Sequence, residues 1–289
     1  MISRLHIILI FFFLKSSFSY AQLTEIINSN RPGLSVGAYA VGKNILHIES
    51  GSFFVKEKHN LRNYEMSGYG FDFGLRYGLF KENLEIIMSG IYQSDNFKDF
   101  RFNPVNEYKR KNFKNFKIGA KYLIFNPYKN DDQKPNIYSY WANRKFNIKN
   151  LIPAVSAYIG LNIDTKDNPY TTYNLNGLSP TISVITQSNF TNRSVLIINL
   201  SSERIGTDQN DFEYLICLTY AFNENFIAFL EKHGIKSDFY ADNKLSFGLA
   251  YLFNDNLQFD IGLTSNFKDT PSVFHVNTGI SYRLNLFRK

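Results

Sequence analysis

The chain has 289 residues, 28 of them Phe and 19 Tyr, with a single cysteine and a formal net charge of +7. One cysteine, Cys217, excludes an internal disulfide, so ladders and packing must hold the fold. The basic excess is modest; in an exported chain it suits an anionic lipopolysaccharide surface and argues against a nucleic-acid partner.

Export is read from the first 21 residues. Arg4 makes a basic start, Ile7–Leu14 is a short apolar run, and Ser19-Tyr20-Ala21 ends in a small residue before Gln22. This is the layout of a cleavable signal peptide, and the run is too short for a spanning helix. Losing Arg4 and Lys15 with it leaves a formal charge of +5. No cysteine follows the cleavage point, which argues against a lipid anchor. Residues 22–44 are polar and irregular around Asn30-Arg31-Pro32-Gly33; their composition fits an ordinary leading segment, with an N-terminal arm or short plug as the alternative.

From Ile45 the pattern is that of strands. Ile45–Lys56 comes first, then a charged loop over Lys56–Asn63. In Glu65–Leu79, Tyr69, Phe71, Phe73, Leu75 and Tyr77 share one parity, while Gly68, Gly70, Asp72, Gly74 and Arg76 share the other. That strand exceeds the about 5–6 residues usual in globular sheets and suits a membrane strand. Leu84–Ser94 follows, then a basic, aromatic stretch, Asp95–Asn112, read as a long loop. Phe113–Phe125, Leu151–Asp164, Thr181–Gln187 and Ser194–Ser201 come next, and then Phe212–Phe222 and Phe226–Gly234. Leu245–Phe253 and Leu257–Leu263 alternate on either side of Asn254-Asp255-Asn256, the signature of a hairpin. Val273–Phe287 is last.

These elements predict an all-β fold: a transmembrane antiparallel up-and-down barrel of about 12 strands, of bacterial outer-membrane type, over residues 45–289. The short connections Phe80–Asn83, Ser188–Arg193, Asn223–Asn225 and Asn254–Asn256 alternate with longer polar ones, as short periplasmic turns alternate with outer loops. Tyr77, Tyr220 and Tyr251 precede three of these turns, where an interfacial aromatic girdle belongs. The long connection Asn126–Asn150 breaks the scheme, and alternation alone also fits a soluble sandwich.

Several stretches resemble the outer-membrane family named for the meta-pathway of phenol degradation. They are Arg31-Pro32, the segment with Glu49 and Gly51, and Lys117-Ile118-Gly119-Ala120-Lys121-Tyr122. Further along the chain they are Ile152-Pro153-Ala154, Gly248-Leu249-Ala250-Tyr251, Asn256-Leu257-Gln258-Phe259-Asp260 and Gly279-Ile280-Ser281-Tyr282-Arg283. A departure stands at Asp164-Thr165-Lys166, where the family shows Pro-Thr-Gly. The resemblance implies an outer-membrane barrel that moves small, hydrophobic or aromatic compounds.

The parities place Asp72, Arg76, Lys117, Lys121, Asn162, Asp164, Gln258, Asp260, His275, Asn277 and Arg283 in the lumen, as selectivity residues or as mutually paired filling. Arg31 and Glu49 are expected to pair there and fix the arm. No G-x-S-x-G nucleophile motif accompanies His47, His59, His233 or His275, so the distant reading of a barrel lipid hydrolase has little behind it, and no enzyme is expected. Neither a His/Cys metal cluster nor a glycine-rich phosphate loop appears, so no cofactor is expected. The reading is a passive channel for a small-molecule solute, with outer-membrane lipid and lipopolysaccharide as surroundings. The alternative is a closed structural or surface-binding barrel, with the basic stretch 96–116 as the binding loop. Oligomeric state is not legible.

Overall fold

The computed structural model describes residues 27–127 and 151–286, apart from Asn174, Asn192 and Phe239. The expected signal peptide and nearly all of the 126–150 connection lie outside the described residues.

The described residues form one closed antiparallel barrel of 12 strands. These are β1 (Ile45–His59), β2 (Tyr64–Gly78), β3 (Leu84–Asp99), β4 (Asn106–Phe125), β5 (Ala154–Asp164) and β6 (Gly177–Asn189). They continue as β7 (Ser194–Glu203), β8 (Asp211–Ala221), β9 (Phe226–Lys236), β10 (Asp242–Asn254), β11 (Leu257–Asn266) and β12 (Ser272–Asn285). Each strand pairs with its neighbours in sequence, and β1 pairs with β12 to close the wall, leaving no free sheet edge.

Period-two patterning decides which way each side chain points. On β10, Leu245, Phe247, Leu249, Tyr251 and Phe253 are exposed, while Asp242, Ser246 and Ala250 are buried. Phe259, Ile261 and Leu263 on β11 continue the same outer face. Outside the barrel is therefore apolar and inside is mostly polar, broken by two small buried apolar clusters, the inverse of a soluble protein and the surface a barrel turns to lipid. No described helix is long and apolar enough to cross a membrane; the crossing elements are strands. Tyr220 and Tyr251 stand exposed near the short turns, packed edge-on against Phe222 and tilted against Phe226.

Several boundaries differ from those read in the sequence. β1 runs on to His59, so only residues 60–63 connect it to β2. The stretch read as a loop over Asp95–Asn112 is mostly strand: β3 reaches Asp99, β4 begins at Asn106, and residues 100–105 alone turn the chain. The basic, aromatic composition reads as loop, and on β4 a bulge also breaks the alternation at the edge of the stretch. Ile91 faces Asn115 while Tyr92 faces Phe113, so Lys114 is an extra residue on β4 and the alternation changes phase there. Beyond the bulge Asn112, Arg110 and Tyr108 pair with the inward residues Gln93, Asp95 and Phe97. The bulge also lets Phe113 and Phe116 share the outer wall, where they cluster with Tyr92, Phe71 and Phe73. β6 is longer than Thr181–Gln187 because Pro180, which lacks an N–H, is tolerated opposite Leu161. β5 starts at Ala154 rather than Leu151, and β9 and β10 each reach further into the segment read as the loop Ile235–Asn243.

Leu249 lies midway along the outer face of β10. Replacing it by Arg is expected to destabilise the barrel in lipid by about 2–4 kcal/mol, read from denaturant unfolding in bilayers, because the charge lies near the hydrocarbon centre.

Candidate functional site in the barrel interior

Residues 27–44 run inside the barrel as irregular backbone. Such a segment has no ladder partners and, at membrane depth, little water, so its N–H and C=O groups must find partners in the wall. Side chains from β1 to β7, and from β9, β11 and β12, supply them. Carboxylates and amide oxygens accept the N–H groups: Glu49 takes Asn30 at 3.0 Å, Glu231 takes Leu34 at 3.0 Å and Ser35 at 2.8 Å, and Asn199 takes Val36 at 2.7 Å. Gln187 takes Ala38 at 3.1 Å and Glu85 takes Val41 at 2.8 Å. Donors take the carbonyls: Arg76 reaches Asn28 at 2.7 Å, Lys121 reaches Gly37 and Tyr39, and Ser156 reaches Ala38. Gln258 donates to the Arg31 carbonyl at 3.2 Å and Asn277 to that of Pro32 at 3.1 Å.

Arg31 is the charged anchor. The expected partner, Glu49, is not its partner. Its guanidinium makes ion pairs with Asp72 and with Asp260, and donates to the Asp260 carboxylate from Nε at 3.2 Å and Nη2 at 3.1 Å. Register explains the choice. Asp72 on β2 pairs with Gly51, Gly51 pairs with Gly279 across the closing seam, and Gly279 pairs with Asp260 on β11. The row therefore reads carboxylate, bare backbone, bare backbone, carboxylate. The planar guanidinium lies over the two glycines, and a Cβ at either one would collide with it. Glu49 sits one inward position nearer the β1 start, where it receives the Asn30 N–H and stands 3.9 Å from Arg76.

A second cluster lies beside it. Arg76 pairs with Glu85 at 3.2 Å and Lys121 with the same carboxylate at 2.8 Å; the Lys121 and Glu85 side chains are wholly buried and that of Arg76 nearly so. His47, also wholly buried, lies between Arg76 and Arg283 on the adjoining strands. Between the inner segment and the wall of β6 to β11 is a cavity of about 160 Å³, lined on the wall side by apolar groups including Ile197, Cys217, Ile227 and Phe229.

Towards the longer loops the polar residues pair with each other. Lys117 pairs with Glu203, and Arg204 makes two bonds to Asp164 at 3.0 Å and approaches Asp211 at 3.6 Å. Asn162 donates to Thr181 at 2.5 Å and His233 meets Glu213 at 3.1 Å. Tyr170, in the loop after β5, gives its hydroxyl proton to Asp95 at 2.8 Å; burial, reinforced by that carboxylate, pushes the phenol up.

All eleven residues assigned to the lumen from parity face inward, but they separate into two groups. Asp72, Arg76, Lys121, Gln258, Asp260 and Asn277 hold the inner segment. Lys117, Asn162 and Asp164 belong to the loop-end pairs, His275 packs on Phe53, and Arg283 reaches Asn256 at the short-turn end. Of the remaining histidines, His59 ends β1 and accepts the Arg62 N–H. Sequence reasoning missed Glu85, Glu231, Gln187 and Asn199. Each lies on the inward parity of its strand, a signal present in the residues but not followed on β3, β6, β7 and β9.

Comparison with known proteins places this geometry. Residues 29–284 match the sequence model of a family described as "Putative MetA-pathway of phenol degradation". Among solved structures, an outer membrane channel from Pseudomonas putida F1 superposes with a TM-score of 0.52 at 7% identity, covering 89% of this chain and 100% of that one. The Pseudomonas putida toluene transporter TodX gives 0.48 at 8% identity, covering 93% and 99%. The KdgM porin gives 0.47 at 9% identity, covering 80% and 98%. At these identities the likeness is one of fold. No curated protein sequence matches.

Removing the Arg31 charge by Arg31→Met leaves Asp72 and Asp260 facing each other without a cation, a loss on the order of 3–5 kcal/mol for the docked segment. Hydrogen exchange is expected to show amides of residues 30–41 losing protection while strand amides keep theirs. Gly279→Ala should reproduce the effect by crowding the guanidinium.

Proposed function

The chain belongs to the family matched over residues 29–284, and on that premise we propose that it is a passive outer-membrane channel or facilitator for small compounds, hydrophobic or aromatic ones among them. The supporting observation is the way the short-turn end is filled. The inner segment is joined to the wall by side-chain hydrogen bonds and ion pairs, not by strand pairing, so displacing it opens a path without breaking the barrel. With short turns on the periplasmic side, as is usual for such barrels, the segment is a plug at the periplasmic mouth. The lumen-facing charges set which solutes pass, and the family's description points to aromatic ones.

In this reading residues 1–21 direct export and are removed. Lys109 and Lys111 stand exposed on the outward parity of β4 near the loop end, where lipopolysaccharide phosphates lie. The reading assigns no catalytic step. A second reading, a closed structural barrel, is favoured by the density of bonds between segment and wall, which leaves much of the short-turn end occupied.

Conductance across a planar bilayer distinguishes the two. A channel gives discrete steps, and Arg31→Gln, by loosening the segment, should raise the unit conductance or the open fraction about severalfold, since at least one buried ion pair holding the closed form is lost. A barrel with native heat-modifiable migration that stays silent in both forms supports the closed reading.

A further inference from the structure

The outward face of β1 to β4 changes character at the longer-loop end. An aromatic belt crosses these strands: ring centroids lie 5.2 Å apart for Phe54 and Tyr69, 5.5 Å for Phe71 and Tyr92, and 5.3 Å for Tyr92 and Phe113. On β2 the outward run from Tyr77 to Ser67 climbs about 25 Å at the tilt usual for such strands, the height of an outer-membrane barrel's apolar band. Ser67 and its neighbours therefore lie where hydrocarbon ends and headgroup phosphates begin.

Just above the belt the outward positions turn basic. Lys56 on β1 pairs with Ser67 on β2, Ser67 with Asn96 on β3, and Asn96 with Lys109 on β4. One outward step lower, Tyr69 pairs with Ser94 and Ser94 with Lys111. Cross-strand pairing climbs towards the longer loops from β1 to β4, so Lys111 stands about level with Lys56. Three strand spacings, about 14 Å, separate these two lysines, and Ser67 and Ser94 stand between them. Lys56, Lys109 and Lys111 are all exposed, and their ammonium groups have no ion pair or hydrogen bond among the described residues. Nearer the loops the charges cancel, Lys58 against Glu65 at 3.1 Å and Lys98 against Glu107 at 3.3 Å. Around the rest of this end the outward strand residues include exposed Leu178, Phe212, Leu245 and Phe274. Among the described strands only β9 adds outward cations there, Lys236 and Lys232, the latter over the Tyr214 ring at 5.8 Å.

We propose that this face of β1 to β4 is a specific site for one molecule of lipid A, the phosphorylated acyl-disaccharide of the outer leaflet. One phosphate lies on Lys56 beside Ser67, the other on Lys111 and Lys109 beside Ser94, and the acyl chains run down over Phe54, Tyr69, Tyr92 and Phe113. Two cationic poles with hydroxyls between them suit a disaccharide carrying a phosphate at each end, whereas a lipid with a single phosphate engages one pole only. The inference rests on the outer-membrane placement in the reading above and gives that surface a defined partner; it does not depend on whether the lumen conducts.

Native mass spectrometry of the full mature barrel in neutral detergent, titrated with diphosphoryl lipid A or with phosphatidylglycerol, tests the site. One lipid A per barrel is expected, held at least about tenfold more tightly than phosphatidylglycerol, with the advantage shrinking as salt is raised. The triple variant Lys56→Gln, Lys109→Gln, Lys111→Gln should lose that advantage, while Lys232→Gln with Lys236→Gln, the same change of charge type on β9, should keep it. Phosphatidylglycerol binding as tightly as lipid A, a triple variant that binds lipid A like the native barrel, or an equal loss in the β9 variant each overturns the site. Heat-modifiable migration of every variant establishes that it is folded before binding is read, and these exposed substitutions leave the ladders and the interior untouched. Conductance in planar bilayers separates this site from the channel. A silent barrel that binds lipid A overturns the channel and leaves the site standing, whereas discrete steps from a barrel that takes up both lipids alike overturn the site and leave the channel.

Discussion

An irregular backbone inside a membrane barrel is permitted only where the protein, or water held in it, replaces the hydrogen bonds that bulk water would have made. The interior of this protein is organised by that requirement. Glu231 is wholly buried, yet its two oxygens accept successive backbone N–H groups, and Asn199 both accepts from and donates to Val36. Inward polarity on these strands is therefore more than the lining of a tube. It is a complement to one particular stretch of chain, and a substitution on the wall unsettles the segment as directly as one within it.

Within that complement the Arg31 row has a distinct part. Hydrogen bonds hold the backbone at many points, each worth on the order of 1 kcal/mol net and more where a charged side chain such as Glu231, Glu85 or Lys121 makes it. The guanidinium instead fixes register: a planar cation over two glycines, with a carboxylate at each side, fits in one place only. Asp260 has two bonds to it and so orients the plane, while Asp72 supplies the second charge.

The barrel and its inward face were legible in the residues because period-two alternation is local: each strand declares its two faces without reference to any other. That is why Asp72, Arg76, Lys117 and Asp260 could be placed inside from sequence. The partner of Arg31 was not legible. Glu49 and Asp72 are both inward acids near Gly51, and only the cross-strand register, a property of the closed barrel, puts Asp72 and Asp260 level with the two glycines. Local periodicity shows which wall a side chain faces. Height along the barrel, and so who meets whom, is set by shear.

Asp72 lies on the second strand and Asp260 on the eleventh, and they are brought to opposite sides of one guanidinium only where the first and last strands pair. Half of the Arg31 site thus comes from each end of the polypeptide. While the seam is open the site does not exist, and the inner segment has no charged place to settle. Docking of that segment consequently reports on the completeness of the wall: the cation is accommodated only after the chain has met itself, so closure of the barrel and closure of its mouth follow in a fixed order.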